Sequence, residues 1–296
     1  MPRTLQKAAR MAEHNGYDSR SWRRNTGNIF YADSGASSGG NGLSPEGASL
    51  LADTAHNLCT ASNGDIVYLM EGHAENITAS ATLTADTAGV SFIGLGNGRN
   101  RPILTWTATA SQAVVSAANV RFENIVFNFA GIDAVVAAFS ITGTDCTFEN
   151  CEFVVNTATA GCVLGLLTAA TATRFRVLGC RFLGTYSNSG TTVTACIKHE
   201  VGIDYEFSRN FFCGKMTQAI LNATTITNGL IDANLFNIGT GTAAITMETS
   251  SAGLISRNVA NVASGTAPYA GAAMSYSQNH YTTEGNGPTA GTADAI

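Results

Sequence analysis

The sequence predicts an all-β fold: one right-handed parallel β-helix, a solenoid of short strand coils stacked along a single axis. Three observations carry this expectation. A short apolar motif recurs in one orientation at steps of 24 to 30 residues. A second apolar stretch lies between its copies at the same period. The composition is 45% hydrophobic but only 12% charged, about half the usual charged share of about 25%, so the surface has to be built from Thr, Ser, Asn, Gly and Ala.

The motif is an apolar residue, two spacers, a turn-forming or small residue, a spacer, and a second apolar residue. It runs Phe122-Glu-Asn-Ile125-Val-Phe127, then Phe148-Glu-Asn-Cys151-Glu-Phe153, Val177-Leu-Gly-Cys180-Arg-Phe182 and Phe207-Ser-Arg-Asn210-Phe-Phe212. It continues as Ile231-Asp-Ala-Asn234-Leu-Phe236 and Ile255-Ser-Arg-Asn258-Val-Ala260, with a weaker early copy over 90–95. Steps of 26, 29, 30, 24 and 24 residues match one coil of three strands and three turns, a length typical of repeat architectures. The variation belongs in turns, because stacked strands must keep register. The intervening runs 137–141, 162–166, 194–197, 219–221 and 244–247 supply another strand per coil. An antiparallel sandwich would instead need hairpin turns between adjacent runs.

Neighbouring strands lie ~4.8 Å apart, so equivalent residues stack. Phe127, Phe153, Phe182, Phe212 and Phe236 are expected in one interior column, each contributing on the order of 1.5–3 kcal/mol. Asn210, Asn234 and Asn258 are expected in a second column at a bend, where Asn accepts the left-handed conformation and stacked amides bond to one another. Cys151 and Cys180 occupy the same column. Parallel crossovers set the right hand.

An open solenoid end needs a cover. Residues 44–61 read as a capping helix, with Ser44 as N-cap, Pro45 and Glu46 in the first turn, and Leu50, Leu51, Thr54, Ala55 and Leu58 on one face. Asp65-Ile-Val-Tyr-Leu-Met70 opens the first coil. The expected organisation is a basic arm over 1–27, the β-helix over 28–262, and a C-terminal cap or arm over 263–296.

The charge is uneven. Arg3, Lys7, Arg10, Arg20, Arg23 and Arg24 face only Glu13 and Asp18 in the first 28 residues, a local +4 on a chain of net −5. A basic arm on an acidic body points to contact with an anionic surface. The first thirty residues lack the apolar run of a secretory signal, and no run reaches membrane-spanning length. Seven cysteines without a C-x-x-C pair read as reduced, buried small hydrophobes made in a cytoplasm.

Phe30-Tyr-Ala-Asp33-Ser-Gly, the glycine-rich run to Gly42-Leu-Ser44-Pro-Glu-Gly, the helix, and Gly64-Asp-Ile-Val-Tyr-Leu-Met-Glu-Gly72 together resemble the opening of pectin-lyase-like β-helix proteins. The Phe-Glu-Asn-Cys-Glu-Phe coils match the same superfamily, and the likeness covers about 28–262. Tailed-phage virion proteins and secreted polysaccharide-active proteins both use this fold, and fold alone does not choose among activities. Its catalytic signatures, paired Asp-Asp with Gly-His-Gly or an Arg-x-Lys, are absent.

The candidate chemistry is sparse. Glu123 over Glu149 is a possible acid–base dyad or two solvated acids; Glu152 beside Arg181 reads as a surface ion pair. His199-Glu200 with Asp204 and Glu206 is the most polar cluster, without a second histidine at ligand spacing. Gly94-Leu-Gly96-Asn-Gly98 lacks the Lys-Ser/Thr of a phosphate loop. Asn76 and Asn222 sit in glycan sequons. Tyr186, Tyr205 and Tyr269 are too scattered in sequence to make a sugar platform. No catalytic residue, cofactor or metal is expected, and neither nucleic acid nor membrane as partner. The expected function is a structural virion protein, a trimeric capsid decoration or cement protein of a tailed bacteriophage. It would be made in the host cytoplasm and held on the major capsid protein, at the capsid surface, through the basic arm. The alternatives are a tail-spike or fibre module binding host surface polysaccharide, and a polysaccharide lyase or hydrolase.

Overall fold

Strands of three or four residues separated by tight corners cannot pair with their sequence neighbours; they pair with the equivalent strand one coil away. The computed structural model of the chain describes residues 27–36, 40–187, 189–200, 202–239, 243–262, 269–270 and 274–283. In it the strands form three long parallel faces. Face A has ten strands, from Ile29–Ala32 to Ser275–Ser277; face B has nine, from Ala74–Ile77 to His280–Thr283; face C has eight, from Ser80–Ala85 to Tyr269–Ala270. The chain visits A, B and C in turn, making a parallel β-helix.

The register follows the repeat. Phe122, Phe148, Val177, Phe207, Ile231 and Ile255 succeed one another on face A. The weak early copy is offset by two residues, since Phe92 rather than Val90 pairs with Phe122. Here the corner after the strand is widened by the turn through 95–102, which displaces the following strand to Ile103–Trp106. The tail also joins the stack: Ser275–Ser277 pairs with Gly253–Ser256, and His280–Thr283 with Val259–Val262. The solenoid therefore runs past residue 262.

In three-residue strands only the central side chain points inward. Phe127, Phe153, Phe182, Phe212 and Phe236 succeed one another on face B. Their rings stack at centroid spacings of 5.3, 4.5, 4.6 and 4.9 Å. Phe92, Phe122 and Phe148 make a second stack on face A at 4.8 and 4.9 Å. Trp106 fills the wider coils between them, its indole N–H donating to the Ala138 carbonyl at 3.0 Å.

The corner between faces A and B differs in one respect from the expectation. The left-handed residue is the one before each asparagine: Arg209, Ala233 and Arg257 have φ of 58°, 54° and 53°. That residue reverses the chain, so the next side chain turns into the core. Asn210, Asn234 and Asn258 are buried and form a ladder, each Nδ2 donating to the next Oδ1 at 3.0, 2.9 and 3.1 Å. The last acceptor is Asn279, a rung hidden in the low-complexity tail. Each Nδ2 also donates to a strand carbonyl of the coil before, as Asn234 does to Phe207 at 2.8 Å. Cys180 joins through its backbone N–H, donating to Asn210 Oδ1 at 2.8 Å. All seven cysteines are free.

The capping helix is shorter than 44–61. Only Ala52–His56 is helical, here named α1, with Leu51 as its extended N-cap. Residues 42–49 instead lie along the outer edge of Ile29–Ala32: Tyr31 donates to Gly42 O, Ser49 to Tyr31 O, and Asp33 to Ser49 O at 2.8–2.9 Å. An unpaired strand edge at the end of a sheet needs partners, and this need overrides helix propensity. The buried face of the cap is Ala48, Ala52, Ala55 and His56, while Leu50, Leu51 and Leu58 are exposed.

Candidate functional site

On the outer faces, residues flanking each inward side chain form vertical columns, which bring charges from successive coils together. Arg121 sits between two acids: its Nε donates to Glu123 Oε2 at 3.1 Å, and its NH2 bonds Glu149 Oε2 in the next coil. Glu152 is flanked by Arg101 at 3.7 Å and Arg181 at 3.9 Å. Glu206 faces Arg176 at 3.9 Å and accepts from the Ser208 hydroxyl. Asp232 takes both Arg257 and the Ser256 hydroxyl; its side-chain bond to Arg257 holds its carboxyl below the usual range. The Glu123–Glu149 pair is thus an arginine-bridged ion network.

The polar cluster at 199–206 is dispersed by the pleat. His199 points into the core, fully buried, with Nδ1 2.7 Å from Thr168 Oγ1. Burial lowers it to about 4, so it is neutral. Lys198 and Glu200 pair with each other at 2.6 Å. Asp204 takes the left-handed corner position, φ 59°, and Glu206 lies on face A. Tyr205 packs inward against His199 at 5.1 Å, over Gly229, where any Cβ would stand 1.9 Å from its ring.

The glycine run at 94–98 is a corner whose carbonyls are used: Asn124 Nδ2 donates to Gly94 O and Gly96 O at 2.8 and 3.0 Å. Asn222 of the second sequon is buried. Arg3, Lys7, Arg10, Arg20, Arg23 and Arg24 lie outside the described residues.

Two features escaped the sequence reading. The first is a buried pair under the cap. His73 Nδ1 accepts the Ser34 N–H at 3.0 Å, so Nε2 donates to Glu75 Oε2 at 3.1 Å; the Ala52 N–H donates to the same oxygen at 2.8 Å. The alternation of His73 and Glu75 was its only sequence signal. Sealed inside, it staples the entering segment and α1 to the first coil. The second is on face B. Tyr186 is half exposed, its hydroxyl donating to Asn237 O at 3.1 Å. The same face carries Phe211, with Arg181 5.9 Å from its ring centroid, and the Asn237–Asn261 amide pair at 3.0 Å. Tyr205 is interior and Tyr269 is on face C, so the three tyrosines do not meet. Among the described residues, no group of three or more His, Cys, Asp or Glu is arranged to hold a metal ion, and no helix is long and apolar enough to cross a membrane.

The fold so defined is a parallel β-helix of three stacked faces. A pectate lyase, Pel9A, superposes with a TM-score of 0.57 over 91% of this chain and 74% of its own, at 14% sequence identity. A rhamnogalacturonan lyase superposes with a TM-score of 0.53 over 80% of this chain and 69% of its own, at 11% identity. At these identities the likeness is one of fold. No protein-family model and no curated protein sequence matches the chain.

Proposed function

We propose that this protein is a structural, non-catalytic β-helix: a virion surface component of the capsid-decoration kind, attached to an anionic particle face by its basic residues 1–27. The observation that supports the non-catalytic part is the pairing just described. Glu123, Glu149, Glu152, Glu206 and Asp232, outward carboxylates of faces A and B, each face an arginine. Such pairing ties neighbouring coils together and occupies these carboxylates with a fixed counter-charge. The attachment part rests on the charge asymmetry of the sequence, and flat solenoid faces suit packing around a three-fold axis.

Two assays test the reading. Incubation with polygalacturonate and with rhamnogalacturonan should yield no unsaturated product by ultraviolet absorbance; product formation would replace this proposal with a lyase. Full-length protein should co-sediment with its purified particle and lose that binding when residues 1–27 are deleted. A second reading is favoured by the face-B surface. Tyr186, Phe211, Arg181 and the Asn237–Asn261 amides offer a ring, a cation and amide groups of the kind that contact sugars, which suits a glycan-binding spike module. Glycan-array binding abolished by Tyr186→Ala would select it.

A further inference from the structure

The N-terminal cap is anchored by very little apolar side chain. Over residues 43–59 the buried positions are Ala48, Ser49, Ala52, Ala55 and His56. The one large side chain that α1 sets into the body is therefore an imidazole. His56 is fully buried and stacked on Phe92 at 5.4 Å, and neither ring nitrogen has a hydrogen-bond partner. A leucine or phenylalanine would fill that place at every pH; a histidine fills it only while neutral. We propose that the cap is an acid-released latch: a proton on His56 frees α1 from the first coils and uncovers the Phe92 ring, while the later coils stay wound. This rests on neither functional reading above.

The surroundings of His56 fix the sign. α1 packs on strands Ile29–Ala32, Ile66–Leu69 and Ser80–Ala85. Tyr31 and Tyr68, from the first two, stack on each other at 6.1 Å in a cluster separate from that of Ala52 and Ala55. Just past the third, Asp86 is mostly exposed, with Oδ1 3.9 Å from His56 Nδ1, too far for a hydrogen bond. Asp53, on α1 itself, accepts the Thr84 N–H at 2.9 Å and the Asn57 amide at 3.0 Å. Asp65 accepts the Thr60 and Asn28 N–H groups, and Glu75, bonded to His73, accepts the Ala52 N–H. Burial holds His56 below its ordinary value, against the pull of Asp86 and Asp53. Opening the cap hydrates the ring and returns it to about 6.5. The closed cap is therefore fully favoured above that pH and weakens as pH falls below it, by at most about tenfold in the closed-to-open ratio per pH unit. Opening confined to one end is local unfolding, to which a short, weakly anchored element is prone.

Hydrogen exchange read by mass spectrometry on the full chain tests this. Ala55 and Asn57 donate their N–H groups to Leu51 O and Asp53 O within α1, so their protection reports the wound cap. Protection over residues 50–59, corrected for intrinsic exchange chemistry, should fall roughly tenfold between pH 7 and pH 5. Protection over 121–128, in the middle of the stack, should not fall with it. His56→Met and, as a second shape, His56→Phe cannot titrate; whichever matches the unaltered chain at pH 7 should keep that protection at pH 5. His199→Met should leave the cap response in place. Equal cap protection at the two pH values, or an equal fall over 121–128, would overturn the proposal. So would a fall that persists without His56, which would transfer the response to His73 and Glu75.

Discussion

Asn234 accepts from the Asn210 N–H and Nδ2 and donates through its own Nδ2 to Phe207 O and Asn258 Oδ1. Replacement by Ala strands two donors and a strand carbonyl in the core. Each unsatisfied group costs about 1–3 kcal/mol, so Asn234→Ala should lower unfolding free energy by about 3–5 kcal/mol, measured by urea titration. His199, together with His56, which burial also holds below its ordinary value, sets the pH response. The folded value of His199, about 4, lies below the ordinary ~6.5 of an unfolded chain, so the unfolded state takes up the proton first. Its contribution is fully present above pH ~6.5 and is lost as pH falls toward 4, on the order of 3 kcal/mol in all. Asp145 and Asp232, lowered chiefly by their bonds to Arg174 and Arg257, act in a separate window: their contribution is present above the ordinary carboxylate range and is lost below it. The urea midpoint should therefore already decline between pH 6.5 and 4, and His199→Met should flatten that decline.

The elements that make coiling possible are the corners. At the A–B corner, Asn124, Asn150, Gly179, Arg209, Ala233, Arg257 and Gln278 all have positive φ, and at the C–A corner Asn119, Asp145, Arg174, Asp204 and Asn228 do the same. A side chain there is opposed by its own carbonyl, at roughly 1–2 kcal/mol. Ala233→Gly should relieve that strain and raise stability by up to about 1 kcal/mol, seen as an upward shift of the thermal midpoint. Gly229 has the reverse constraint. A Cβ would meet the Tyr205 ring, so Gly229→Ala should destabilise by about 1–3 kcal/mol. The double variant with Tyr205→Val should recover most of that loss; additive losses would mean that the ring is not the obstacle.

Over the whole molecule, each coil is the floor of the one before, so the ends matter more than in a globular domain. Removing residues 263–296 takes away the strands paired with Gly253–Ser256 and Val259–Val262 and uncovers Ile255, Asn258, Ala260 and Val262. The truncated chain should associate through its open edges, visible as concentration-dependent light scattering where the full chain shows none. The side walls, by contrast, carry ion pairs between coils, such as Arg121 with Glu149 and Arg257 with Asp232.

The coil period, the parallel pairing and the alignment of Phe127, Phe153, Phe182, Phe212 and Phe236 could be read from residue order, because a stack repeats the same local environment and so demands like side chains at like spacing. The ladder was legible as a column, but its left-handed residue was not, since Arg209 and Arg257 are atypical there and are held by bonds made one coil away. The 199–206 cluster illustrates what only the tertiary structure decided. Proximity in sequence placed His199, Glu200 and Glu206 together, whereas the pleat and the corner sent one inward and the others to different faces. The cap was decided in the same way: local propensity favoured a helix over 44–61, but the open edge of Ile29–Ala32 took residues 42–49 as its partner. Periodic burial is written along the chain; the competition among unsatisfied backbone edges, and the direction in which each polar group turns, is settled only when the coils meet.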